Sequence, residues 1–115
     1  MKFNKALCLT SLTMFASCSY YYNEERTDKT YQCAGGDIVK ITYINSDKYN
    51  KAILHLNQNE HILNITESAS GAKYSAIDKE DKTIIYTWHT KGPAGSLSIE
   101  KGSQPSENFI DCMEQ

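Results

Sequence analysis

Ser70 and Lys73 stand three residues apart in Ser-Gly-Ala-Lys, the S-x-x-K spacing of an acylating serine with a lysine beside it. That chemistry needs both side chains on one face of a helix. Here Ala72, Tyr74 and Ala76 alternate as in a strand, which sends Ser70 and Lys73 to opposite faces. The companion S-D-N and K-T-G elements are missing, because Ser46-Asp47 is followed by lysine and Lys91-Gly92 by proline. His61 and His89 are not spaced to share a metal. His55 alternates away from the apolar residues of its segment and is expected to be exposed. No pair of carboxylates sits in an obviously apolar setting. The chain does not read as an enzyme, and no cofactor or metal is expected.

Two short loops of small residues remain, Ser68-Ala69-Ser70-Gly71 and Lys91-Gly92-Pro93-Ala94-Gly95. A lysine followed by Gly-Pro sits at a tight turn and is pushed into solvent. The loops flank two expected strands, 72–77 and 82–89. If these strands form a hairpin, both loops come to the same end and build a narrow ridge with one hydroxyl, Ser70, and one ammonium, Lys91. A ridge fits into something; it does not enclose a substrate. Each residue also has a plainer reading, since a loop lysine commonly serves solubility and Trp88, the single tryptophan, suits core packing at a strand end.

The elements that would hold this ridge are strands. Residues 37–44, DIVKITYI, place Val39, Ile41 and Tyr43 on one face. Ala52, Leu54 and Leu56 share a face in 51–57, and His61, Leu63 and Ile65 share one in 60–66. Asn57-Gln58-Asn59 links these two segments as a hairpin. Residues 82–89, KTIIYTWH, carry the strongest β signal, and 95–100 and 107–112 complete the series. Gly92-Pro93, Gly95, Gly102 and Pro105 fall between the runs, where turns are wanted. No window keeps a helical period over three turns. The expectation is an all-β fold, a small antiparallel sandwich or barrel of seven or eight strands.

The N-terminus gives an address. Lys2 and Lys5 precede the apolar stretch Ala6–Phe15, too short for a bilayer core of roughly 20 residues, and Ala16-Ser17-Cys18 follows. This is a secretory signal over residues 1–17, and its FASC ending is similar to the bacterial lipobox, in which the cysteine is acylated and becomes the new N-terminus. Phe15 departs from the usual leucine, and ordinary signal-peptidase cleavage nearby is the alternative. Residues 18–30, polar and rich in tyrosine, read as a tether, and 31–115 as the folded domain. Removing Lys2 and Lys5 leaves ten basic against fourteen acidic residues, a net charge of −4, which suits a cationic partner and argues against nucleic acid. With Cys8 removed and Cys18 lipidated, Cys33 and Cys112 remain in an oxidising compartment and are expected to form one disulfide.

At these residues the sequence resembles the membrane-bound and periplasmic inhibitors of c-type lysozyme, the MliC/PliC family. The resemblance runs from Tyr31-Gln32-Cys33 to Cys112 and includes SASGAKY (68–74) and a W-x-K-G-x-x-A-related segment, Trp88 to Leu97. It implies a small antiparallel β-barrel with c-type lysozyme as partner and a lipid anchor at Cys18, placed in the outer membrane because Ser19 is not an acidic retention signal. It also implies that Ser70 and Lys91 enter the enzyme's active-site cleft, with Gly71, Tyr74, Trp88 and Gly92 supporting the loops. Ser75–Thr83 is longer and more charged than the family pattern, and Pro93 is a further departure. The other reading is a small envelope lipoprotein with an assembly or ligand-carrier role. The sequence says nothing of oligomeric state.

Overall fold

The computed structural model describes residues 23–115; the signal segment and Cys18 lie outside the described residues. Eight strands follow one another: β1 (Glu25–Gln32), β2 (Ile38–Asn45), β3 (Asn50–Leu56), β4 (Asn59–Thr66), β5 (Ala72–Ile77), β6 (Ile84–Lys91), β7 (Ala94–Lys101) and β8 (Gln104–Glu114). Each pairs antiparallel with the next, and β1 pairs with β8 to close a barrel. A single 3₁₀ turn, Ala34–Gly36, joins β1 to β2. This is the all-β barrel the sequence implies.

The period-2 pattern explains the interior. Val39 and Ile41 of β2, Ala52 and Leu54 of β3, Leu63 of β4, Tyr74 of β5, Tyr86 and Trp88 of β6, and Leu97 and Ile99 of β7 are all buried. A barrel of this size is just wide enough for its own side chains to fill it. Trp88 is 0% exposed and lies edge-on to Tyr31, with ring centroids 4.8 Å apart. Gly95 makes room for it: a Cβ there would fall 2.4 Å from the indole. The barrel is closed at the β1–β8 seam by two residue pairs, Tyr31↔Glu114 and Gln32↔Met113, and by the expected disulfide between Cys33 and Cys112. That link closes a loop of sequence separation 79. A loop of this length is worth an upper figure of roughly 4–5 kcal/mol.

Several expectations need correction, among them Gly95, read as a turn residue, which is the second residue of β7 and pairs with Thr90 and Cys112. Residues 25–30, read as tether, are strand and pair residue for residue with β2 from Glu25↔Asn45 onward. Their inward positions, Glu25, Thr27 and Lys29, extend beyond the filled core to the barrel mouth, so no apolar alternation marks them. Pro105 lies inside β8 and not in a turn, since the start of β8 pairs only with β7 and Pro tolerates a strand with one free edge. His55 is half-buried, its Nε2 2.8 Å from Thr42 Oγ1. In β4, Leu63 faces the core as expected, whereas Ile65, at the strand's end, is 45% exposed.

Substituting Gly95→Ala should drive a methyl into the Trp88 ring and cost about 1–3 kcal/mol. Thermal unfolding of the variant is expected to show a drop of several degrees; an unchanged midpoint would mean that the indole can move aside.

Candidate functional site

The barrel mouth is built around Trp88. Its Nε1–H donates to the Tyr43 hydroxyl at 2.8 Å, and the Tyr43 and Tyr31 hydroxyls lie 2.8 Å apart. Tyr74 sits beside them, its ring 5.8 Å from that of Tyr43. Burial, reinforced by the bond to Tyr31, pushes the Tyr43 phenol far above the ordinary tyrosine range, and burial also raises that of Tyr74. Over this aromatic layer lies an open depression of about 330 Å³ lined by Lys29, Tyr31, Tyr43, Gly71, Ala72, Thr90 and Gly92. Lys29 Nζ is paired there with Glu114 Oε2 at 2.9 Å.

Two loops rise at this rim. Residues 67–71 connect β4 to β5, and Gly92-Pro93 connects β6 to β7 as a two-residue turn. The register of β5 against β6 pairs Ala72 with Thr90. That places Gly71 against the β6 backbone: a Cβ on Gly71 would meet the Thr90 carbonyl oxygen at 2.3 Å and Lys91 Cβ at 3.1 Å. Gly71 also has φ +71°, the left-handed region that glycine tolerates best. The first loop therefore abuts the end of β6 immediately before the second loop, and the two form one tip. The Pro93 carbonyl accepts from the Glu114 N–H at 2.8 Å, which ties the second loop to β8.

Strand alternation then orients the side chains. Trp88 points in, so His89 and Lys91 point out. Lys91 is exposed and has no ion pair among the described residues; Ser70 is exposed and its hydroxyl makes no hydrogen bond among them. Of the residues singled out from sequence, Ser70, Gly71, Lys91 and Gly92 come together at the tip, and Tyr74 and Trp88 lie in the layer beneath it. Sequence reasoning missed Tyr31 and Tyr43, whose hydroxyls complete the Trp88 network, and the Lys29–Glu114 pair. Tyr43 was legible as an inward position, but not its partners. It also missed His89, which reaches back to the Ser70 carbonyl at 3.0 Å.

The opposite end carries a second depression, of about 460 Å³, between β4 and β5. His61 stacks on Tyr86 with centroids 4.3 Å apart, and the Tyr86 hydroxyl donates to Asp78 Oδ1 at 2.8 Å. Asp78 Oδ2 accepts the N–H groups of Glu80 and Asp81. These donors, the Asp81 N–H first and the Tyr86 hydroxyl second, hold the Asp78 carboxyl below its ordinary range. The carboxylate is thus used up by the fold. The charged 78–83 turn within the departure noted at Ser75–Thr83 lies at this far end, away from the tip. No cluster fit for a metal occurs among the described residues.

The barrel is filled by its own side chains and carries at one end a tip with the Lys91 ammonium and the Ser70 hydroxyl exposed. A profile of MliC, the membrane-bound lysozyme-inhibitor of c-type lysozyme, matches residues 31–105, and the chain belongs to this family. The family is one of inhibitors, not of enzymes. Over 67 residues the chain is 34% identical to the membrane-bound lysozyme inhibitor of C-type lysozyme of Cupriavidus necator, covering 58% of this chain and 48% of the relative. The chain thus spans about half the length of that curated relative. The crystal structure of PliC-St, the periplasmic lysozyme inhibitor of C-type lysozyme from Salmonella typhimurium, superposes with a TM-score of 0.63 at 25% identity, over 79% of this chain and 99% of that one. Pseudomonas aeruginosa MliC, solved in complex with hen egg white lysozyme, shares the fold at a TM-score of 0.57 and 24% identity, over 83% of this chain and 87% of that one.

Burial and the bond to Asp78 raise the Tyr86 phenol from 10 to about 12. A phenol kept neutral by the fold contributes stability that is fully present below its unfolded value and is withdrawn as pH rises through its folded one. Urea midpoints are therefore expected to hold up to about pH 10 and fall steeply towards pH 12. The slope should be shallower in Tyr86→Phe, and an identical slope would remove this phenol as a source.

Proposed function

We propose that this chain inhibits a c-type lysozyme by inserting the tip formed by Ser70 and Lys91 into the enzyme's active-site cleft. The observation that carries the reading is the backbone contact of Gly71 with Thr90 and Lys91, which sets a free hydroxyl and a free ammonium on one projecting edge. Family membership supplies the class of partner.

The chemistry follows from what a glycosidase needs. Such an enzyme works with one protonated and one ionised carboxyl group around a transition state that gains positive charge. The Lys91 ammonium placed between them imitates that charge. It also favours ionisation of the acid, removing the proton that the leaving group requires. In a partly dry cleft the pairing counts for more than on an open surface, although desolvation of both partners offsets part of it. Ser70, with one donor and two acceptor positions, hydrogen-bonds a carboxylate or a polar group of the cleft wall. Gly92 and Gly71 keep the tip narrow, and Trp88 and Tyr74 keep it stiff. The acidic body, net −4 once Lys2 and Lys5 are removed, draws in a basic enzyme and orients it before contact.

We further read the chain as anchored by acyl groups on Cys18 in the outer membrane. Because β1 begins at Glu25, six residues separate that anchor from the barrel, and the seven steps from Cys18 to Glu25 reach at most about 25 Å. Two or more acyl chains anchor stably where one does not.

Lys91→Ala is expected to weaken inhibition of a c-type lysozyme at least tenfold, about 1.4 kcal/mol, while leaving the melting temperature within a degree of the parent. Cell-wall lysis assays titrated with parent and variant decide it, and equal potency would sink the role given to Lys91. Cys18→Ser should move the protein from the membrane fraction to the soluble fraction of the producing cell. Retention of the variant in the membrane would rule out anchoring through this cysteine.

A further inference from the structure

The loop that carries Ser70 is held by a contact that the reading above does not use. Ser70's carbonyl oxygen accepts two hydrogen bonds, from Ser68 Oγ at 2.7 Å and from His89 Nε2 at 3.0 Å. The His89 ring nitrogen also lies 3.3 Å from Ser68 Oγ. A carbonyl only accepts, so His89 Nε2 carries its proton and Ser68 donates its own. Both lone pairs of one exposed peptide oxygen are thereby occupied by side chains, in a loop that has no regular strand partner. The next residue, Gly71, is pressed against the backbone of β6. The Ser70–Gly71 peptide is fixed on one side by the wall and on the other by the two donors, and the Ser70 hydroxyl is left free.

The origin of the second donor is what gives the arrangement meaning. His89 belongs to β6, two residues before Lys91 and on the same outward face. One strand therefore delivers the ammonium and, through His89, also sets the position of the serine. The distance between the two inhibitory groups is set by a strut and not left to a flexible loop. Preorganisation of this kind raises affinity by lowering the ordering cost on binding.

We propose that His89 is a positioning residue of the inhibitory tip, locking the Ser68–Gly71 loop through the Ser70 carbonyl so that Ser70 and Lys91 engage the lysozyme cleft as a single preformed unit. This rests on the reading of Ser70 and Lys91 as the inserted pair. The locked loop can nevertheless be tested on the free protein. The imidazolium and the neutral Nε2–H tautomer both offer this N–H, whereas the neutral Nδ1–H tautomer does not, so the strut requires that Nε2 keep its proton.

The experiment is a double-mutant cycle on the full chain with a binding and a structural readout. His89→Leu should raise the inhibition constant for c-type lysozyme about tenfold with no change in melting temperature. His89→Gln, which keeps an amide N–H near the same place, should recover to within about threefold of the parent. In a Ser70→Ala background His89→Leu should add twofold or less, because the group it positions is already gone. Nitrogen NMR of the free parent protein should show the His89 ring protonated at Nε2, and the Ser70 carbonyl carbon should shift upfield in His89→Leu but not in His89→Gln. Parent-like inhibition by His89→Leu, or a full tenfold loss persisting without the serine, would overturn the proposal. So would a neutral ring protonated at Nδ1. If Ser70→Ala alone is as potent as the parent, the serine's role in the cleft fails, and the NMR arm still decides whether His89 holds the loop.

Discussion

One large side chain needs one missing side chain. The Trp88 indole occupies the barrel interior only because Gly95, on the neighbouring strand, leaves the space a Cβ would take. From that fit the rest follows. The buried indole fixes the in–out alternation of β6, so His89 and Lys91 must face outward. Its Nε1–H needs a partner once buried, and Tyr43 supplies it, itself held by Tyr31. The aromatic layer so formed is the floor on which both loops of the tip rest. Polar groups inside a small barrel are costly unless every one is satisfied, and among the described residues no buried side-chain polar atom lacks a partner. The tip thus rests on the core, and the bonds of Ser68 and His89 to the Ser70 carbonyl hold its first loop in place above it.

Charge is distributed in a complementary way. The acidic excess is spread over the body, and several carboxylates are engaged within the fold: Asp78 by backbone N–H groups and a phenol, Asp81 by Thr83, Glu114 by Lys29. At the tip, the Lys91 ammonium makes no ion pair among the described residues, as is also true of Lys40, Lys73, Lys79 and Lys82 elsewhere on the barrel. An ammonium without an internal partner loses nothing but its water when it enters an acidic cleft, whereas one already paired would have to give up a bond. The Lys29–Glu114 pair at the same rim shows the contrast: it is spent on the β1–β8 seam, where only two residue pairs join the strands.

Much of this was written plainly along the chain. The period-2 runs at 37–44, 51–57, 72–77 and 82–89 marked strands, and the small residues between them marked turns; Asn57 and Gln58, with φ of 50° and 69°, form the expected hairpin turn. Ser70 and Lys91 could be brought to one end on hairpin logic alone, because pairing of two successive strands fixes which loops meet. β1 could not be seen so easily. Its inward positions before Tyr31 stand at the mouth, where there is no core to face, and the composition of 25–30 is that of a linker. His89 was equally hidden. It is an exposed histidine on a strand, and its importance comes from a carbonyl nineteen residues away in sequence. Contacts between a side chain and a distant backbone atom leave no periodic trace.

The beginning of β1 has a geometric outcome of its own. From the closure at Tyr31 and Gln32 the strand runs outward past Lys29, which lines the mouth beside Gly71 and Gly92, so Glu25 stands at the rim that bears the two loops. Whatever precedes Glu25 leaves the barrel on that side. If the anchor proposed at Cys18 and the role proposed for Ser70 and Lys91 both hold, the leash grips the molecule by its working end, like a key hung from its teeth. With a short leash, the barrel would have to lean over or lie on its flank before a bulky visitor could reach the lock-facing edge, and the length of residues 18–24 would become a control on access as much as an attachment.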